Sequence, residues 1–325
     1  SGLTGAGSSA YIAQEVTATG AETIIDLSYG NVIYYKGVAT TVGFASTSAA
    51  EQITFIRDTS STFDSSYNIS YSTGGVTMDG TDDNLNLAAS GDFECAGDFT
   101  IECWFNSSNT GSNRALFGLG AYNVLGGVEM FIDDGVPVFY TTNSSNTAIR
   151  ITGSSITTSQ WYHLAVVRSG TTVTMYLDGS SVGSYTDSTT FGNGSNNYFT
   201  IGAATYEVGG YADYWSGVIS NFRFVKGTAV YTSTFIPPQA ALTNITNTKL
   251  LCCQDTSSTT VGAVKPGTIT ANSSPTAGAQ TVATSGTKTL SAGTITWPDR
   301  VKWNNDTTPT LFTNARSAAS QIFRF

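Results

Sequence analysis

Charge is scarce in this sequence. Only 11% of its 325 residues are Asp, Glu, Lys or Arg, under half of the roughly 25% usual for soluble globular chains. Ser, Thr, Asn and Gly supply the polarity instead. Those residues weaken helices, whereas Thr, Val, Tyr and Phe suit strands. The charge that is present leans acidic, with 23 Asp and Glu against 14 Lys and Arg and a formal net charge of −9. That balance argues against nucleic acid, whose phosphates require clustered cations. His163 is the one histidine, and no Cys-x-x-Cys pair accompanies it, so zinc is not expected. No apolar run approaches the ~20 residues of a membrane-spanning helix. No secretory signal pattern opens the chain, and membrane insertion is not expected.

What is present reads as strand throughout. Runs of alternating residues separated by Gly, Ser, Asn and Asp fill the chain, and no segment carries a 3.6-residue stripe. The clearest run is Trp161-Tyr-His-Leu-Ala-Val-Val-Arg168 followed by Thr172-Val-Thr-Met-Tyr-Leu-Asp178. Val173, Met175 and Leu177 share one face there, and Asp178-Gly179 supplies the residues of a tight hairpin. The 40% hydrophobic and 12% aromatic content supports real cores. The four cysteines, Cys95, Cys103, Cys252 and Cys253, read as small buried hydrophobes. A Cys103–Cys253 or Cys95–Cys252 bridge is the alternative, with the adjacent pair expected on opposite strand faces.

Residues 1–72 and 285–325 are each too short for a comfortable core, so they are expected to pair into a second small β-sandwich. Residues 73–255 form the densest strand block and are expected to be inserted in it. Residues 256–284, Ser/Thr/Gly-rich with Pro266 and Pro275, read as a linker.

Five motifs in the middle block carry a resemblance: Met78-Asp-Gly-Thr-Asp-Asp-Asn-Leu85, Asp98-Phe-Thr-Ile-Glu-Cys-Trp104, Trp161 to Arg168, Met175-Tyr-Leu-Asp-Gly179 and Tyr214-Trp-Ser-Gly-Val-Ile-Ser-Asn-Phe-Arg223. In order and spacing they resemble the laminin-G-like/concanavalin A-like jelly roll. The resemblance implies an antiparallel jelly-roll sandwich. A second, narrower resemblance rests on Phe224-Val-Lys-Gly-Thr-Ala-Val-Tyr231, Phe235-Ile-Pro-Pro238, Thr248 to Gln254 and Ile295-Thr-Trp-Pro-Asp-Arg-Val-Lys-Trp303. These segments are similar to structural proteins of marine bacteriophages of the cyanophage type. That implies a component of the virion surface, such as a tail fibre, head fibre or capsid-decorating subunit.

Catalytic patterns are missing. The Glu-x-Asp-x-x-Glu motif of laminarinase-like enzymes on this fold does not occur. The acidic group Asp92, Glu94, Asp98 and Glu102 reads as solvated turn chemistry, and His163 reads as packed within its sheet. No Gly-x-Ser-x-Gly elbow or phosphate loop appears. Sugar binding needs exposed rings flanked by Asn and Asp. The loop from Tyr206 through Tyr211 and Tyr214 to Trp215 has that composition, as does Tyr122-Asn123; the alternative for Tyr214 and Trp215 is that they begin the next strand and pack inward. Trp104 and Trp161 read as core.

Laminin-G-like domains often hold Ca²⁺ at the sandwich rim, which suits an oxygen-seeking ion. The carboxylates expected for it are Asp133, Asp134 and Asp213, with Asp82-Asp83 as a further pair. The reading is therefore a non-enzymatic, lectin-like virion-surface protein. Its terminal segments would meet sister subunits or other virion proteins in a homo-oligomer, and a cell-surface glycan would be its ligand. The rivals are a purely structural capsid or filament subunit, and a secreted bacterial adhesin or polysaccharide-active enzyme.

Overall fold

The protein is described from a computed structural model. Side chains are described for residues 68–286 apart from 112, 193–196 and 207–209, and outside that window only backbone strands are given. The chain divides into two units. One comprises Ser1–Ile69, Ser233–Ala240 and Ser285–Phe325, and the other Ser70–Thr232 and Ala241–Thr284. In the first, the strand Ser320–Arg324 runs antiparallel to Thr54–Asp58. The expected second sandwich depends on side chains outside the described residues.

The second unit is an all-β jelly-roll sandwich. One sheet has seven strands in the order Ala148–Thr152, Val136–Thr142, Val128–Asp133, Arg114–Leu119, Phe199–Ile201, Asn84–Leu87 and Ile269–Asn272. The other runs Ser180–Thr186, Thr172–Leu177, Trp161–Ser169, Phe99–Ser107 and Ser216–Lys226, then residues 76–79. Among the described residues no helix is long and apolar enough to cross a membrane.

The pleat explains the core. Along Phe99–Ser107, the odd residues Phe99, Ile101, Cys103 and Phe105 point inward and meet Val128, Met130, Ile132 and Phe139 from the opposite sheet. Each such side chain contributes roughly 1.5–3 kcal/mol on burial. Alternation thus turns the intervening residues of each strand outward, and these outward faces carry the polar chemistry.

Turn residues behave as their chemistry demands. Asp178 and Gly179 both take positive φ, 47° and 75°, joining Leu177 to Ser180 across a tight hairpin. Asp134 and Gly135 do the same at 48° and 79°, between Asp133 and Val136.

Two sequence expectations change. The stretch read as a linker is partly built into the sandwich: Ile269–Asn272 pairs with Asn84–Leu87, and Ile269 is buried in the core. Ser/Thr richness hid a short edge strand carrying a single buried apolar residue. The cysteines are all free and buried, but Cys252 and Cys253 both face the core, with their Sγ atoms 3.7 Å apart. The strand ends at Cys252, and Cys253 adopts φ 59°, which swings its side chain to the same side.

Candidate functional site

The outward faces of the two sheets differ in kind. On the Phe99–Ser107 sheet the outward residue Glu102 is fully buried. It accepts two bonds from Arg223, Nε at 2.9 Å and Nη2 at 2.7 Å, and one from the Tyr231 hydroxyl at 2.6 Å. His163 Nε2 lies 3.1 Å from its other side. Burial pushes the Glu102 carboxyl up, but Arg223, His163 and Tyr231 outweigh it and bring it down to about 2. Glu102 is therefore no solvated turn residue. Beside this buried ion group, Thr228 and Thr243 are each tied to the sheet, since Thr100 Oγ1 donates to Thr228 O and Arg223 Nη1 to Thr243 O. His163 is packed in the sheet as its alternation with Ala165 and Val167 predicted.

The seven-stranded sheet presents the other arrangement. Val128, Met130 and Ile132 go inward, so Glu129, Phe131 and Asp133 go outward. The register sets Arg150, Tyr140, Glu129, Gly118, Thr200 and Asn86 side by side across five strands and onto a sixth. Phe131, Val138, Tyr140, Ala115 and Ala204 form a second apolar cluster on this face, with Tyr122 packed against it.

The hairpin Ala204–Glu207 and Gly210–Ala212 is fastened over part of the row. Tyr122 N donates to Thr205 O at 2.6 Å, Thr200 and Thr205 hydroxyls lie 2.8 Å apart, and Asn86 Nδ2 donates to Tyr211 Oη at 2.7 Å. Gly118, lacking a side chain, leaves the space through which Ala203 and Thr205 pass.

This brings three tyrosines together. The Tyr122 ring lies 4.8 Å from Tyr140 and 5.1 Å from Tyr206, centroid to centroid. Tyr140 Oη donates to Asn123 Oδ1 at 2.7 Å, with Asn123 held at φ 60°. Tyr206 is 47% exposed, and Val124 and Leu125 in the neighbouring loop are 45% and 44% exposed. Those three are most of the exposed large hydrophobics among the described residues, and they frame one patch. Clustering of that sort marks an interaction surface, whereas single exposed apolar residues do not.

Glu129 sits at the foot of this patch, 3% exposed. Among the described residues nothing hydrogen-bonds or ion-pairs with its carboxylate, and neither oxygen is fully enclosed. Burial raises its carboxyl to about 8; Asp213 adds to the rise and Arg150 opposes it. Asp213 is itself raised by burial, against the pull of Tyr206 and Arg114. Tyr206 Oη donates to Asp213 Oδ2 at 3.1 Å. Arg150 is committed elsewhere, ion-paired to Asp133 and placed 5.3 Å from the Phe131 ring centre.

Of the residues expected from sequence, Tyr122, Asn123, Tyr206, Tyr211 and Asp213 meet here. Tyr214 lies at the margin, its hydroxyl donating to Tyr211 O at 3.2 Å. Trp215 does not take part: it is fully buried in the core, 5.8 Å from Phe105. Its position one residue past the loop starts the strand Ser216–Lys226, and the pleat sends it inward. Asp133, Asp134 and Asp213 are not gathered into one group. Asp133 faces Arg150 and Asp134 makes the hairpin turn. The three-carboxylate group among the described residues is Asp79, Asp82 and Asp83. There Asp83 already accepts from Asp79 N and Ser274 N. Sequence reasoning missed Phe131, Tyr140, Arg150 and Asn86 as parts of the patch. The alternation Val128-Glu-Met-Phe-Ile-Asp133 was the available signal for the first.

The sandwich is an antiparallel jelly roll. Residues 79–229 match the model of the concanavalin A-like lectin/glucanases superfamily. No curated protein matches the chain in sequence. The native heptameric SAP-like pentraxin from Limulus polyphemus is 15% identical, with a TM-score of 0.42 over 63% of this chain and 94% of that one. The CBM40 of Ruminococcus gnavus IT-sialidase, bound to α2,3-sialyllactose, is 12% identical, with a TM-score of 0.38 over 46% and 87%. Domain 4 of the GH43 arabinanase AbnA from Geobacillus stearothermophilus, bound to arabinotriose, is 18% identical, with a TM-score of 0.37 over 49% and 83%. None of these likenesses assigns this chain a ligand.

Proposed function

We propose that the protein is a lectin-like adhesion subunit that binds glycan on the outward face of the seven-stranded sheet, without turnover. The observation carrying this reading is the joining of a partly exposed cluster of three tyrosines, their rings tilted against one another, to a nearly buried carboxylate that no described residue satisfies. Sugar rings present an apolar face that stacks on aromatic rings, and hydroxyls that donate to carboxylates. Tyr206 and Tyr122 offer the first contact and Glu129 with Asn123 the second.

The setting on a virion surface is part of the same proposal and is supported by the sequence resemblance of Phe224–Tyr231, Phe235–Pro238 and the C-terminal segment. Attachment to sister subunits or virion proteins would use the terminal strands. Calcium, if bound, would draw on rim carboxylates such as Asp133, Asp134 or Asp213.

The test is a glycan array with the whole chain, repeated with Tyr206→Ala. Removing the exposed ring is expected to weaken binding roughly tenfold, about 1.4 kcal/mol, while leaving thermal stability within about 0.5 kcal/mol. Absence of binding to every glycan would favour the purely structural subunit. Hydrolysis of a polysaccharide that stops in Glu129→Gln would make the chain an enzyme. Mass spectrometry of purified virions tests the setting.

A further inference from the structure

Resting on the glycan reading of this face, we infer that the site selects sugars bearing a free amine, with the ammonium seated on Glu129, and discriminates against uronic and sialic acids.

Nearly all of Glu129 is out of water, yet its carboxylate has no donor among the described residues. A buried carboxylate normally has partners, because desolvating one without compensation is costly. Glu102, fully enclosed in the same fold, has three different donors or partners. No described residue supplies that donor, and the carboxylate opens onto the patch, where a ligand can supply it.

The charge around it decides what kind of donor. Asp213 adds a second carboxylate whose field reaches Glu129. The nearby cation, Arg150, is paired with Asp133 and lies over Phe131. Arg114 directs one guanidinium nitrogen to Gly80 O and Tyr214 O. Among the described residues, an incoming carboxylate at Glu129 would meet two acids, while Arg150 is paired with Asp133 and the pull of Arg114 falls on Asp213. An incoming ammonium would displace the proton that Glu129 holds near neutral pH to solvent, and would then meet complementary charge and, beside it, the faces of Tyr122, Tyr140 and Tyr206, which attract cations further. A neutral hydroxyl would satisfy Glu129 less well, since charge-assisted hydrogen bonds are about twice as strong as neutral ones.

The test compares three ligands of equal length by calorimetry at neutral pH: a β-1,4-glucosamine tetramer, the same tetramer fully N-acetylated, and a galacturonate tetramer. The glucosamine tetramer is expected to bind roughly tenfold or more tighter than its acetylated form, as a charged hydrogen bond would give. The galacturonate tetramer is expected to bind weakest. In Glu129→Gln the preference for the free amine is expected to fall to near unity, and a thermal melt of the variant shows that it is folded. Should that variant melt early, Asp213→Asn provides the second reading, with the preference reduced but not removed. Equal affinity for amine and acetamide overturns the inference and leaves the glycan reading standing. So does a preference that survives Glu129→Gln, which would mark plain attraction of a polycation to an acidic protein. Failure of all three ligands and of the array overturns both.

Discussion

The two outward faces of the sandwich each bury one glutamate, and they treat it in opposite ways. Glu102 is met by Arg223, Tyr231 and His163; Glu129 is met by none of the described residues. The first arrangement holds a chain segment to a sheet. The second leaves a carboxyl without a described partner at a ring-lined surface, which is the ground for the ligand proposed above. The difference separates a buried acid used as architecture from one left open to solvent at the patch.

The contrast breaks hardest at Arg223. Replacing it by Met strands the Glu102 charge in the interior, and a loss of roughly 3–5 kcal/mol in urea unfolding is expected. A loss under about 1 kcal/mol would mean that the network is not what fixes that face.

The next effect has the opposite sign and a pH signature. The Glu129 carboxyl lies near 8 in the folded protein against an ordinary 4.5. Folding therefore favours its protonated form, so the stability it allows is complete below about 4.5 and is lost as pH rises to about 8. Tyr122, Tyr140, Tyr206, Asp213 and Arg150 surround it, and Asp213 is itself raised by burial. Relative to wild type, Glu129→Gln should gain stability progressively across that window, by at most roughly 5 kcal/mol. Glu102, held near 2, works the other way: its contribution is present above about 4.5 and fades as pH falls towards 2. Melting curves of wild type and Glu129→Gln at pH 4.5 and pH 8.5 check the sign, and curves that run parallel would refute it.

The smallest effect is expected from Arg150→Ala. Its pair with Asp133 is half exposed, and such pairs contribute under about 1 kcal/mol. Urea unfolding should barely move, whereas amine selectivity should rise, because the one opposing charge near Glu129 is gone.

The fold was legible because alternation is local. Across the motifs from Met78 to Arg223, the parity of a position along its strand separates inward from outward residues, and Asp178-Gly179 names its own turn. The site was legible only in part. Tyr122, Tyr206 and Tyr211 could be chosen by composition, but their meeting depends on the register of Val128–Asp133 against its neighbours and on a hairpin crossing at Gly118. Neither is written in spacing along the chain. Trp215 was misplaced for the same reason: loop and strand differ there by one residue, and one residue reverses the direction of a side chain. Glu102 was misjudged because its donors lie 61, 121 and 129 positions away.

The four thiols have a practical consequence. Each is enclosed, and burial lifts the Cys95 thiol to about 12, so neither access nor ionisation favours attack by an alkylating reagent in the native state. Labelling must wait for the sandwich to open. The cysteines thus form a built-in clock for opening, with Cys103, Cys252 and Cys253 timing the centre of the core and Cys95 the strand margin near Phe191.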